Sequence, residues 1–254
     1  VLKSDNPNFI VENVEVRNCD VRSVCSAIKL GTASHGGYRN IRIHDCTVGP
    51  SPREYADKVK GVRSSTIRQF NWPGASDQDA AISGIALECV DGGVMEDIVV
   101  RDIRIDGAWT PIFIRGGLRT GRKVGDPPRV LPAGTVRRVS NILIENVTGR
   151  AASFVASSMT GVPGLRLKGI TLRNVRLTVP GAGADGAAEA NSPVPENEGN
   201  YPESNMFDHR MLPAYGFYIR HADGIVLDGV SVTPLGPEAR PEVVTEDVTD
   251  YVRR

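Results

Sequence analysis

One short pattern, returning six times, constrains this chain more than any other feature. It reads as a small polar residue or Gly, an aliphatic, any residue, an aliphatic, any residue, then Asn, Asp or Gly. The copies begin at Asn13, Asn40, Asp97, Asn141, Gly169 and Gly224. Shortly after each comes a further aliphatic or small residue, such as Val21, Val48 or Ile105. Apolar residues at every second position mark strands with one buried face. The polar residue closing each copy suits a sharp bend, because Asn, Asp and Gly tolerate left-handed backbone angles. Val14 to Ile41 spans 27 residues and Ile142 to Ile170 spans 28, while the remaining gaps of 57, 44 and 55 read as the same unit with insertions. Such a unit is too short for a propeller blade and lacks leucine-rich-repeat spacing. It fits one coil of an all-β, single-stranded right-handed parallel β-helix, in which equivalent positions stack rung upon rung.

A second strand family lies between the copies: Ile28–Gly31, Ile85–Glu88, Ile112–Arg115, Val155–Ser158 and Phe217–Arg220, with Leu2-Lys3 as the tail of a preceding rung. Alternation sends Ile28/Leu30, Ile85/Leu87, Ile112/Ile114 and Phe217/Ile219 inward. Two outward rows follow. One is Lys3, Gly31, Glu88, Arg115, Ser158 and Arg220; the other is Val1, Lys29, Ala86, Phe113, Ala156 and Tyr218. A groove along this face is the expected site. Insertions at 49–80, 116–135 and 180–214 flank it, and long loops in a compact solenoid are commonly functional or disordered. The Gly/Ala stretch 181–192 reads as disordered, and the aromatic, Pro-containing remainder as ordered. Residues 236–254 carry no repeat and read as a terminal cap. The whole of 1–254 is expected to be one domain, the C-terminal part of a longer β-helix.

Thirty basic and thirty acidic residues cancel, so net charge points to no nucleic-acid or membrane-surface partner. A polyanionic ligand would have to be met by local Lys and Arg. No apolar run approaches the length of a membrane span. Cys19, Cys25, Cys46 and Cys89 lack zinc-site spacing. Cys19 and Cys46 share a slot of the repeat and read as stacked interior residues, with a disulfide between them as the alternative. The chain opens at Val1 within an apolar run, which reads as a fragment or a processed product.

Several segments carry a family likeness. Ala27-Ile28-Lys29-Leu30-Gly31-Thr32 through His35-Gly36-Gly37-Tyr38-Arg39-Asn40-Ile41 resembles a segment of glycoside hydrolase family 28. Gly84–Glu88 with Val90–Gly93, Pro111–Arg115, Pro195-Glu196-Asn197, Tyr201-Pro202-Glu203, Pro213–Gly216 and Tyr218–His221 resemble its bacterial, polygalacturonase-like branch. The likeness runs in order through nearly the whole chain. It implies an inverting, metal- and cofactor-free hydrolase of galacturonate-containing polysaccharide, in which one Asp protonates the glycosidic oxygen and others activate water. It also implies a secreted or periplasmic monomer that meets a pectin-type polysaccharide, and no nucleic acid or membrane. The family's Asp-Asp pair precedes a segment like Val1-Leu2-Lys3-Ser4, so the catalytic residues are expected upstream of Val1. Two departures stand out. Cys25-Ser26-Ala27 occupies the place of a Gly-His-Gly, and Ala86-Leu87-Glu88 that of an Arg-Ile-Lys, which puts endo-polygalacturonase action in doubt.

The candidate substrate-binding residues are therefore Lys3, Lys29, His35, Glu88 and Arg115. Arg115 either forks onto a substrate carboxylate or pairs with Glu88. Lys3 and Lys29 either bind a uronate or are ordinary solvated lysines. Glu88 reads as a partner of Arg115 or Lys29 more readily than as a general acid, and His35 as a turn cap or a contact for sugar hydroxyls. Arg220 and His221 read as structural, His44 and His209 as surface or loop residues. Tyr201, Tyr215 and Tyr218 offer rings for stacking or for packing the long loop. The series Asn18, Asp45, Asp102, Asn146, Asn174 and Asp228 could suggest calcium, but strand-ending bends favour a hydrogen-bonded ladder. A polysaccharide lyase or epimerase and a non-catalytic glycan-binding protein are the rival functions, since fold alone does not separate them.

Overall fold

A computed structural model of the chain describes residues 1–52, 81–119, 136–203, 207 and 211–254. Along the described chain run β1 (Leu2–Ser4), β2 (Val11–Arg17), β3 (Asp20–Ser23), β4 (Ile28–Ser34), β5 (Tyr38–Pro50), β6 (Ala81–Cys89) and β7 (Gly93–Gly116). Then come β8 (Arg137–Ala151), β9 (Ser157–Thr160), β10 (Leu167–Val179), a short helix α1 (Gly183–Glu189), β11 (Phe217–Asp228), β12 (Ser231–Pro234) and β13 (Val243–Arg253). The ladders between these strands are all parallel.

The six copies of the repeat pair in register: Val14 with Ile41, Ile41 with Ile98, Ile98 with Ile142, Ile142 with Ile170, and Ile170 with Ile225. Their bends adopt the left-handed angles that side chains other than Asn, Asp and Gly resist. Asn13, Asn18, Asn40, Asp45, Asp97, Asp102, Asn141, Asn146 and Asn174 have φ between 50° and 58°. Side-chain amides link successive bends: Asn40 donates to Asn13 at 2.7 Å, Asn146 to Asp102 at 2.9 Å and Asn174 to Asn146 at 2.7 Å. These polar side chains satisfy one another, as a ladder requires. Asp228 does not belong to the ladder: Gly229 takes the left-handed position, and Asp228 lies 3.5 Å from both Arg173 and Arg254.

The strand connectivity corrects the expected solenoid. β7 pairs with β8, β8 with β10, β10 with β11, β11 with β9, and β9 back with β7. This is a closed five-strand parallel barrel with the other strands bonded outside the ring, not a right-handed parallel β-helix. Closure arises because two strands change partner along their length without breaking. In β7, residues up to Ala108 bond β8, whereas Phe113–Arg115 bond β9. In β11, Phe217–Arg220 bond β9, whereas Ala222–Asp228 bond β10. A repeat of period 27 reports which residues are equivalent. It does not report that one continuous strand will serve two neighbours.

The core is filled by the inward residues of the copies, including Ile98, Val100, Ile142, Ile144, Ile170, Leu172, Ile225 and Leu227, with Ile114, Met159 and Ile219 from the second strand family. Small barrels are filled by side chains in this way, and burying each such aliphatic contributes about 1.5–3 kcal/mol. Cys46 is buried and Cys19 half-buried, and no disulfide joins any of the four cysteines. The Cys19 and Cys46 thiols each donate to the carbonyl two residues back in the chain.

Three further expectations change. The strand expected at 155–158 lies at Ser157–Thr160, with Met159 beside Ile114 and Ile219. Ser and Thr on both sides hid the alternation. The stretch 181–192, read as disordered, holds α1, because its Ala content supports a helix despite the glycines. Residues 236–254 end the strand order, but as β13 in register with β11, carrying left-handed Asp247 and Asp250. Its outward Thr, Glu and Asp residues masked the pattern. The insertions at 53–80 and 120–135, and His209, lie outside the described residues.

Candidate functional site

The outward rows do converge, but on partners within the chain. Glu88 of β6 stands in register with Arg115 of β7, and Gly31 of β4 lies against Glu88. A Cβ on Gly31 would fall 2.3 Å from the Glu88 carbonyl oxygen, at a φ of +109° that L side chains resist. The glycine lets β4 approach closely enough to bring Lys29 over the Glu88 carboxylate. The Lys29 Nζ is 3.0 Å from Glu88 Oε2 and 2.6 Å from Glu203 Oε1, and Ser26 Oγ donates to Glu203 at 3.3 Å. All three ionic side chains are at most one-tenth exposed.

The contact between Lys29 and Glu88 is close but off the direction of a hydrogen bond, and neither Glu88 oxygen has a hydrogen-bond partner. Burial first, then the neighbouring Glu203 charge, push the Glu88 carboxyl up to about 8, against the pull of Lys29. Lys29 is held well above its ordinary value by the two carboxylates, against its own burial. Glu88 and Glu203 thus share a single ammonium, and burial disfavours the charged form of Glu88.

Above this cluster sits Tyr201, 49% exposed. Its ring centroid is 5.6 Å from Lys29 Nζ and 5.4 Å from the Arg119 guanidinium, distances at which cation–π attraction operates. Arg119 is itself forked onto the buried Asp91, with its Nε 2.9 Å from Oδ1. The segment bearing Tyr201 and Glu203 thus closes over β4 and β6.

Further along the same face the covering continues. Phe113, Ala156 and Tyr218, expected to face an open groove, are buried under Phe207 and Leu212, with Val194 packed against them. Arg115, fully buried, donates to Thr160 Oγ1 and the Gly161 carbonyl, each at 3.0 Å, and to the Glu196 carbonyl at 2.9 Å. Burial and the neighbouring Arg220 lower it to about 9. It forms neither the Glu88 pair nor an open fork. Arg220 donates to the carbonyls of Val194 at 2.7 Å and Pro195 at 2.9 Å, and Arg240 to those of Phe154 at 2.8 Å and Leu212 at 3.1 Å. Arg115 and Arg220 thus hold Val194, Pro195 and Glu196 to β7 and β11 through backbone oxygens, and Arg240 holds Phe154 and Leu212 in the same way.

The other expected residues lie apart. Lys3 is exposed on β1, and His35 is half-buried in the turn after β4. His35 Nδ1 is buried without a hydrogen-bond partner. Its turn is pinned on both sides, since a Cβ on Gly36 would meet the Phe9 and Asn6 carbonyls and one on Gly93 the Ser34 carbonyl. Among the described residues no hydrogen bond or ion pair joins Lys3 or His35 to the Lys29 cluster. His44, expected on the surface, is nearly buried between Asp45 at 2.5 Å and Glu15 at 3.1 Å, and these carboxylates raise its pKa. His221 is bonded to Asp247 at 2.6 Å and Glu196 at 2.9 Å.

Sequence reasoning missed Glu203, Asp91 and Arg119. The only signal for Glu203 is its place in Tyr201-Pro202-Glu203, which carries no geometry. No group of three or more His, Cys, Asp or Glu among the described residues is arranged to hold a metal ion. No described helix is long and apolar enough to cross a membrane. Comparison with known proteins finds no matching family model, no matching curated protein and no matching solved structure.

Proposed function

We propose that the protein engages galacturonate-containing polysaccharide, as a hydrolase of the polygalacturonase-like kind acting outside the cytoplasm. The observation that carries the reading is the Tyr201 ring, about half exposed between two cations. A sugar's apolar face stacks on such a ring. Tyr218 by contrast is buried and donates to Glu246 at 2.5 Å, so it is withdrawn from any ligand. The reaction itself is inferred from the likeness of Ala27–Ile41 and the later segments to family 28, and Lys29, within the first of these, lies against this ring.

Glu88 and Glu203 are not the acid and base of an inverting mechanism. Their nearest oxygens share one ammonium, so they stand no further apart than its two contacts combined. An inverting pair needs about 6.5–9.5 Å to admit a water. In this reading the cluster positions the Tyr201 segment. The same closed arrangement favours a second reading, a non-catalytic glycan-binding protein.

Titration with oligogalacturonate, followed by assay of reducing ends on polygalacturonate and rhamnogalacturonan, separates them. Hydrolysis releases reducing ends. Binding that weakens about tenfold in Tyr201→Ala, with no reducing ends, selects the binder. No binding and no reducing ends sinks both.

A further inference from the structure

Away from this covered face, the start of β8, the turn at Val162–Leu165 and the early residues of β10 and β11 enclose a pocket of about 380 Å³. Five basic side chains line it: Arg137, Arg138, Arg166, Lys168 and His221. We propose that this pocket binds a small ligand through a carboxylate or phosphate group, with Arg137 and Lys168 as the recognising cations.

The assignment rests on which charges are already matched. Arg138 is bound to Glu96, which also accepts from Arg39 at 2.7 Å. Arg166 is bound to Asp223 at 2.8 Å and to Asp247. His221 lies between Asp247 and Glu196. Arg137 and Lys168 form no ion pair among the described residues. Lys168 stands in register with Asp223, but that carboxylate is turned to Arg166 and Thr249. Arg137 and Lys168 are therefore the two cations of the pocket without a carboxylate contact of their own among the described residues.

A second observation points the same way. Arg137 Nη1 is buried and has no hydrogen-bond acceptor. The fold supplies no acceptor for this guanidinium nitrogen, and a buried donor left unmatched is destabilising. A guanidinium is the group that takes a carboxylate or phosphate in a planar, two-point manner, and a concave wall focuses the field of both cations. Val162 and Leu165 are buried, and with Pro163 they line the turn side of the pocket, giving an apolar surface for the body of a ligand. The volume falls near the lower end of the range of about 300–1,000 Å³ for small-molecule sites, enough for one acidic sugar or sugar phosphate and too little for a polymer segment.

This site shares no residue with the Tyr201 platform, so the two readings fail separately. The test is calorimetric titration of the whole chain with galacturonate, with inorganic phosphate and with neutral galactose, repeated on Arg137→Gln/Lys168→Gln and on Tyr201→Ala. Saturable binding of galacturonate, phosphate or both, absent for galactose and at least tenfold weaker in the double variant, supports the site. The tighter of the two anions identifies the ligand group. Tyr201→Ala should leave this binding unchanged. The proposal is overturned if neither anion saturates, or if the double variant binds as well as the wild type while its circular dichroism matches.

Discussion

The Lys29–Glu88–Glu203 cluster and the Arg137–Lys168 pocket both gather basic side chains, yet they are opposite in kind. In the first, every positive charge has a partner: Lys29 has two carboxylates, Arg119 has Asp91, and Arg115 has a hydroxyl and two carbonyls. In the second, Arg137 and Lys168 lack an ion-pair partner among the described residues; a buried guanidinium nitrogen without an acceptor occurs in both regions, at Arg115 Nε and at Arg137 Nη1. A row of Lys and Arg facing one way is therefore not yet a binding site. What distinguishes the two regions is whether the fold has already satisfied the charges.

The largest effect should come from breaking the matched region. Lys29→Met leaves Glu88 and Glu203 buried without their cation and should cost about 3–5 kcal/mol, measured by denaturant unfolding at neutral pH. A loss below 1 kcal/mol would show that the cluster is open to water, and the contrast with the pocket would collapse. Next comes Arg115→Met, which strands the carbonyls of Gly161 and Glu196 and should cost about 3 kcal/mol. It should also make the 193–203 segment cleave faster under limited proteolysis, with unchanged cleavage counting against its role in holding that segment.

Glu88→Gln separates charge from shape. In the folded state the Glu88 carboxyl is pushed up to about 8 from its ordinary 4.5, so between those values the folded state binds more protons than the unfolded. Stability then falls as pH rises through that window. In Glu88→Gln this part of the fall should vanish, leaving a flatter profile from the ordinary carboxylate range to about 8. A wild-type profile with the same slope as the variant would contradict the raised value. Smallest of all, Arg137→Gln and Lys168→Gln should each change stability by about 0.5 kcal/mol or less, since neither removes an ion pair. A larger loss in thermal or denaturant unfolding would place them among the structural charges and erase the difference between the regions.

The legible part of the fold was its periodicity. Asn13, Asn40, Asp97 and Asn141 stand at equivalent bends, and the aliphatic residues that follow them, Val14, Ile41, Ile98 and Ile142, pair in register, because alternation and left-handed tolerance are properties of single residues. Closure of the ring was not legible, since it depends on β7 and β11 each serving two neighbours. Met159, flanked by hydroxyl residues, and β13, rich in Thr, Asp and Glu, were hidden for a related reason. Their burial is decided by what lies across the ladder and not by their own pattern. Of the candidate residues, Lys29, Glu88 and Arg115 were rightly set on neighbouring outward positions. Their partners Glu203, Thr160 and the carbonyls of Glu196 and Gly161 come from segments 45 to 174 residues away in the chain, beyond the reach of local reasoning.

By itself the sequence determined that this is a chain of short repeated strands with one buried face, bent at Asn, Asp and Gly, because steric limits on φ and the two-residue period act within a few residues. Only the tertiary structure decided how those strands connect, which face Val194, Glu203, Phe207 and Leu212 cover and which cations lack a carboxylate partner. Each of those depends on distant groups meeting under burial, where an unpaired charge costs enough to select its partner.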